Sequence, residues 1–191
     1  MIYIPNLLTL ARIGLVPLLI ILLQDQLYLW SLIVFIVAGI TDGLDGYIAK
    51  KFNAQTQLGA ILDPLADKAL LISSYVMLSI MGVIPFWLVV AVVFRDVLII
   101  FGFLIMVMFI GSVKMQPLLI SKINTVLQIA FIIIVLAALA GLNQLSVVTP
   151  ILSYAVLASS FLSGCAYVYI WSVLMTQNTD DNIENPKKKN S

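Results

Sequence analysis

Thr41–Lys68, TDGLDGYIAKKFNAQTQLGAILDPLADK, holds four of the chain's nine acidic residues: Asp42, Asp45, Asp63 and Asp67. Apolar runs flank it on both sides, LWSLIVFIVAGI before and ALLISSYVMLSI after. Carboxylates between such runs are costly, and the usual reason to keep them is function. The fold and the chemistry both turn on why this stretch is polar.

The composition sets the surroundings. Of 191 residues, 62% are hydrophobic and only 10% charged, where a soluble domain is nearer half apolar and a quarter charged. The expected class is an all-α integral membrane protein. A net charge of +1 gives no basic excess to argue for nucleic acid. The single cysteine, Cys165, excludes an internal disulfide and a thiolate metal site. With no histidine, acid/base work near neutral pH falls to Asp, Glu, Lys or Tyr. MIYIPN lacks the basic region and cleavage site of a signal peptide, so the first apolar segment is expected to be retained.

A helical span takes about 20 mostly apolar residues. Six segments fit: 7–23, 28–49, 57–81, 84–110, 118–140 and 146–175. They define one domain over 1–175, followed by a polar tail over 176–191 that is expected to be disordered. Lys50 and Lys51 follow the second segment, Lys114 the fourth and Lys187–Lys189 the sixth, while the links after the others carry no Lys or Arg. The positive-inside rule then puts both termini and the polar stretch on the cytoplasmic side. In the first segment Asn6, Thr9 and Arg12 recur every third residue. That stripe either lies at the interface with Arg12 snorkelling to headgroups, or closes one side of the site.

Asp42 and Asp45 are spaced i, i+3, and Asp63 and Asp67 i, i+4, so each pair shares a helix face. At 1.5 Å per residue, Asp42 is about 21 Å along the second helix, past the midplane toward the cytoplasm. Four converging carboxylates need counter-charge, since like charges raise one another's pKa. Lys68 follows Asp67 by one residue and is directed elsewhere on the helix. Hard divalent cations, Mg²⁺ or Mn²⁺, suit an all-oxygen donor set shared with substrate phosphates, and two would stabilise a transferring phosphoryl group. Gly46 and Gly59 either allow close helix packing or leave space for a ligand. Pro64 starts or kinks the third helix.

Asp42-x-x-Asp45-Gly46-x-x-Ala49-Lys50, then Gly59-x-x-x-Asp63-x-x-x-Asp67, resembles the signature of the CDP-alcohol phosphatidyltransferases, and the resemblance covers most of the chain. It implies that Asp42, Asp45, Asp63 and Asp67 bind metal and that Asp67 is also the general base on an acceptor hydroxyl. It further implies a CDP-diacylglycerol donor contacted by Gly46, Ala49, Lys50 and Gly59, release of CMP, and a homodimer. The family usually has arginine at the position of Lys50, and lysine lacks the bidentate fork.

IPNLLTLARIG at 4–14 is similar to the start of the family's glycerol 3-phosphate-using branch and of its phosphatidylglycerol-using, cardiolipin-forming branch. FRDVLII and ISKINTVLQ look most like the latter. Glycerol 3-phosphate is a dianion that calls for clustered cations, whereas phosphatidylglycerol needs one or two and an apolar groove. Arg95 and Lys122 are the candidate acceptor-binding cations, which favours phosphatidylglycerol. For Arg95 the structural alternative is an ion pair involving Asp96, and for Lys122 an interfacial role. The expected setting is a bacterial cytoplasmic membrane with the site facing the cytoplasm. A cation transporter is the rival class, but its acids belong near the midplane in repeated halves, and no repeat is visible here.

Overall fold

The computed structural model describes residues 3–52, 57–110 and 118–184, with side chains over 12–41, 68–106, 108, 118–142 and 144–176. Six α-helices account for nearly all of it: α1 (Tyr3–Gln24), α2 (Tyr28–Phe52), α3 (Gln57–Ile80), α4 (Phe86–Ile110), α5 (Leu119–Leu139) and α6 (Thr149–Glu184). A 3₁₀ turn, Asn143–Val147, leads into α6. The six helices fall on the six segments expected from hydropathy.

Among the described residues, three stretches are long and apolar enough to cross a membrane: Phe86–Met106, Leu119–Leu139 and Thr149–Thr176. The parts of the other helices whose side chains are described, Arg12–Gln24, Tyr28–Thr41 and Lys68–Ile80, are apolar but shorter. The distribution of polarity points the same way. Phe86, Phe94, Phe101, Met108, Ile151 and Phe161 are exposed, while Ser74, Arg95, Asp96, Asn124, Gln128 and Ser163 are buried. An apolar outside around a polar inside suits hydrocarbon as the solvent.

The helices pack as a ring. α1 lies against α2 and α3, α2 against α5, α5 against α6, α6 against α4, and α4 against α3. Across the middle, Tyr75 of α3 stacks on Phe131 of α5 with ring centroids 5.9 Å apart. The Tyr75 hydroxyl donates to the Gln128 carbonyl at 3.3 Å. Leu19, Leu23, Phe35, Leu78, Leu88 and Val156 complete this core. With α1 seated between them, α2 and α3 touch only lightly. The sequence treats them as plain neighbours, but α1 forms part of the wall between the two.

The ends of α1, α3 and α5 share one device. In each, the residue after the cap takes positive φ, and the last carbonyls accept the paired 5→2 and 6→1 bonds of a Schellman motif. Gly82 donates to Ser79 and Val83 to Leu78; Gly141 donates to Ala138 and Leu142 to Ala137. Gly82 and Gly141 have φ of 72° and 117°. After α1 the same place holds Gln26, at φ 59°, donating to Leu23 while Leu27 donates to Leu22.

The far end of α6 departs from the expected boundary. The helix continues past Thr176 to Glu184, because nothing between them breaks it and Pro186 is the first residue that must. Residues 185–191 lie outside the described residues. Pro64 opens no helix: α3 already begins at Gln57.

Candidate functional site

α2 runs unbroken through Asp42 and Asp45, and α3 through Asp63 and Asp67. Both registers assumed from spacing are therefore helical, and each pair falls on one face of its helix. The connection between them is short, so the topology brings the end of α2 and the start of α3 to one end of the bundle. The side chains of Asp42, Asp45, Gly46, Ala49, Lys50, Gly59, Asp63 and Asp67 lie outside the described residues. Among the described ones there is no group of three acidic or sulfur ligands that could hold a metal. As a donor set the four carboxylates are oxygen-only and carried at helical register. That chemistry fits a hard divalent cation.

α1 enters from the same end. Its Arg12 is only 2% exposed, so this guanidinium is drawn into the bundle rather than out to headgroups. Of the two readings open for the stripe, this burial goes against the interfacial one for Arg12. The side chains of Asn6 and Thr9 lie outside the described residues.

The best-defined polar feature adjoins the acidic helices. Lys68 of α3 donates to Asp96 Oδ2 of α4 at 2.6 Å. Arg95 donates through Nη1 to Asp96 Oδ1 at 2.7 Å and through Nη2 to Ser163 of α6 at 2.9 Å. Its Nη2 also bonds Ser121 of α5, and its Nε bonds Ser163. One carboxylate thus holds two cations, and one guanidinium ties α4 to α5 and α6. Asp96 and Arg95 have 3% and 5% of their side chains exposed, Lys68 31%. A second polar link sits deeper: Asn124 Oδ1 accepts from Ser159 at 2.7 Å and from Ser160 at 3.0 Å.

Arg95 is therefore engaged through all three nitrogens, the structural alternative foreseen for it, although its carboxylate partner is the adjacent residue. Lys122 is exposed on α5, one residue from the Ser121 that bonds Arg95. Lys68 leaves the acidic face, as its position after Asp67 requires, and finds Asp96. The sequence does not single out that pair, since Lys68 adjoins Asp67 and Asp96 adjoins Arg95.

Two grooves with a cation in their lining open on the outer surface of the bundle. One, about 560 Å³, runs between α4 and α6 past Phe94, Arg95, Ser160, Cys165 and Tyr169. The other, about 380 Å³, lies between α2, α3 and α5 and is lined by Phe35, Gly39, Lys68, Leu71, Thr125 and Ile133 among others. The aromatic residues of α6 are mostly packing groups: Tyr154 stacks on Trp87 and Tyr167 leans on Trp171. Trp171 lies over Gly102 of α4, where any Cβ would overlap its ring.

The family model for CDP-alcohol phosphatidyltransferases matches residues 2–175. A CMP-forming cardiolipin synthase of Rattus norvegicus is 36% identical over 155 residues, 71% of this chain and 50% of that protein. A CDP-diacylglycerol–glycerol-3-phosphate 3-phosphatidyltransferase of Bacillus subtilis is 36% identical over 107 residues, 48% of this chain and 55% of that one. A Blochmanniella floridana protein of the same description is 29% identical over 182 residues, 91% of this chain and 93% of its own. The chain spans about half the length of the first two.

Proposed function

This chain belongs to the CDP-alcohol phosphatidyltransferase family, and from that premise we propose that it moves a phosphatidyl group from CDP-diacylglycerol to a glycerol-type hydroxyl, releasing CMP. The observation that carries this is the pair of helical registers, Asp42/Asp45 on α2 and Asp63/Asp67 on α3, inside the matched region. The acceptor we infer is phosphatidylglycerol, giving cardiolipin. The similarity to a cardiolipin synthase over 71% of the chain supports it. A second reading, glycerol 3-phosphate as acceptor, is favoured by the Blochmanniella relative, which matches nearly end to end.

In this mechanism Asp42, Asp45, Asp63 and Asp67 would hold two Mg²⁺ or Mn²⁺ ions. When bound, such ions supply positive charge beside the donor's diphosphate. Gly46, Ala49, Lys50 and Gly59 line the space for the cytidine nucleotide. Asp67 takes the proton from the acceptor hydroxyl. The hydroxyl oxygen forms its bond to the lipid-side phosphorus, and the bond from that phosphorus to the bridging oxygen breaks, its electron pair leaving with CMP. Lys122 supplies positive charge near the acceptor. Arg95 contributes by fixing α4, α5 and α6 around the site.

The six helices span the membrane with both termini, and the site, on the cytoplasmic side. This topology rests on the basic residues at the ends of α2, α4 and α6. The setting is a bacterial cytoplasmic membrane, and the protein works as a homodimer. Identification of the labelled lipid formed from CDP-diacylglycerol separates the two acceptors. Cardiolipin with phosphatidylglycerol supports the first reading; phosphatidylglycerophosphate alone, formed only with glycerol 3-phosphate, supports the second.

A further inference from the structure

The two grooves lined by a cation differ in what that cation can offer a ligand. In the α4–α6 groove, Arg95 is 5% exposed and bonded through every nitrogen to Asp96, Ser121 and Ser163. In the α2–α3–α5 groove, Lys68 has 31% of its side chain exposed, and its bond to Asp96 uses one of the three donors of an ammonium. Among the described residues it is the one charged group in that lining.

Apart from Thr125, the rest of the described wall is apolar. Phe35, Ile36, Ala38 and Ile40 come from α2, Leu70 and Leu71 from α3, Ile129 and Ile133 from α5. Thr125, the remaining polar group, bonds back to the Ser121 carbonyl of its own helix at 3.1 Å. From Thr125 to Ile133 the groove follows α5 for about 12 Å. At Gly39 a Cβ would meet nothing within 4 Å, so the slot is open along α2. A volume of about 380 Å³ falls within the usual range for small-molecule sites, roughly 300–1,000 Å³.

A cation at the head of an apolar slot, on the outer face of a membrane bundle, matches an anionic phosphodiester carrying an acyl chain. We propose that the α2–α3–α5 groove is the slot through which the lipid acceptor docks, its chain along Gly39 and Ile133 and its phosphodiester at Lys68. This rests on the reading of phosphatidylglycerol as acceptor. Lys68 stands on α3, the helix that carries Asp67, the proposed base, so a lipid held there lies beside the acidic stretch. Asp96 draws the Lys68 stem across from α4 and fixes where that charge stands.

The test labels the slot directly. Purified full-length protein in nanodiscs is irradiated with phosphatidylglycerol bearing a photoactivatable acyl chain, and the labelled peptides are mapped. Labelling is expected within 35–40 and 125–133, falling about tenfold in Gly39→Leu, the effect of excluding roughly two methylenes from an apolar slot. The same substitution is expected to raise KM for phosphatidylglycerol about tenfold. Lys68→Gln is expected to lower labelling by phosphatidylglycerol and leave that by a phosphatidylcholine analogue at its low background. Equal labelling by phosphatidylcholine, preferential labelling of the slot by a CDP-diacylglycerol analogue, or unchanged labelling in Gly39→Leu overturns the proposal. Absence of CMP release with every acceptor overturns the proposed function instead, and is read in a separate assay. Transfer to glycerol 3-phosphate alone overturns the acceptor assignment and the role of the slot with it. Cardiolipin formation without slot labelling overturns the slot only.

Discussion

Asp96 on α4 accepts from Lys68 on α3 at 2.6 Å while its other oxygen holds the neighbouring Arg95 at 2.7 Å. Removing the charge by Asp96→Asn leaves a 5%-exposed guanidinium whose partners among the described residues are serines. Breaking a buried pair from one side costs about 3 kcal/mol, and that loss is expected in reversible unfolding of the purified protein. Lys68→Gln is expected to cost under about 1 kcal/mol, because the lysine is partly solvated and screened. Equal losses from the two substitutions would mean that Arg95 does not depend on Asp96.

The turn after α1 predicts a gain. Gln26 holds φ 59° in a Schellman motif where α3 and α5 use Gly82 and Gly141. A Cβ in the left-handed region costs about 1 kcal/mol. Gln26→Gly should return about that much stability, seen as a higher midpoint of thermal unfolding. No gain would show that the Gln26 side chain offsets the strain.

Gln128 gives a second stability test. It is fully buried on α5, and neither Oε1 nor Nε2 finds a partner among the described residues. An unsatisfied buried amide costs about 1–3 kcal/mol, and Met has a similar volume without it. Gln128→Met should be neutral or stabilising by about 1 kcal/mol. Asn124→Leu, one turn earlier, should destabilise, since Asn124 accepts from Ser159 and Ser160. If Gln128→Met instead destabilises, the amide has a partner such as an internal water.

How far the sequence reached follows from the kind of information each feature needs. The helices were legible because hydrophobic runs measure themselves against membrane thickness: 28–49 became Tyr28–Phe52 and 118–140 became Leu119–Leu139. The helical spacing of the four aspartates was legible for the same local reason. The ring order was not, because apolar helices carry little to say which neighbour each prefers, and so the seat of α1 between α2 and α3 went unread. The Lys68–Asp96 pair joins two helices, and it was not legible because each member has a nearer opposite charge in the chain, Asp67 and Arg95. Arg12 was ambiguous since a long side chain near a helix end can turn either way; its burial needed the packing of α1.

Asp67 separates chemistry from binding. If it is the base on the acceptor hydroxyl, Asp67→Asn should lower turnover by at least about 10²-fold while CDP-diacylglycerol still binds, measured by equilibrium binding of labelled donor. Asp42→Asn and Asp63→Asn should instead raise the divalent cation concentration needed for half-maximal rate. Loss of donor binding in Asp67→Asn would contradict the base assignment.

The central claim is transfer of a phosphatidyl group, and CMP release measures it most directly. Purified protein given CDP-diacylglycerol, phosphatidylglycerol and Mg²⁺ or Mn²⁺ should release CMP in step with cardiolipin formed, and chelation of the cation should stop both. No CMP release above background, with phosphatidylglycerol or with glycerol 3-phosphate and with either metal, would contradict it.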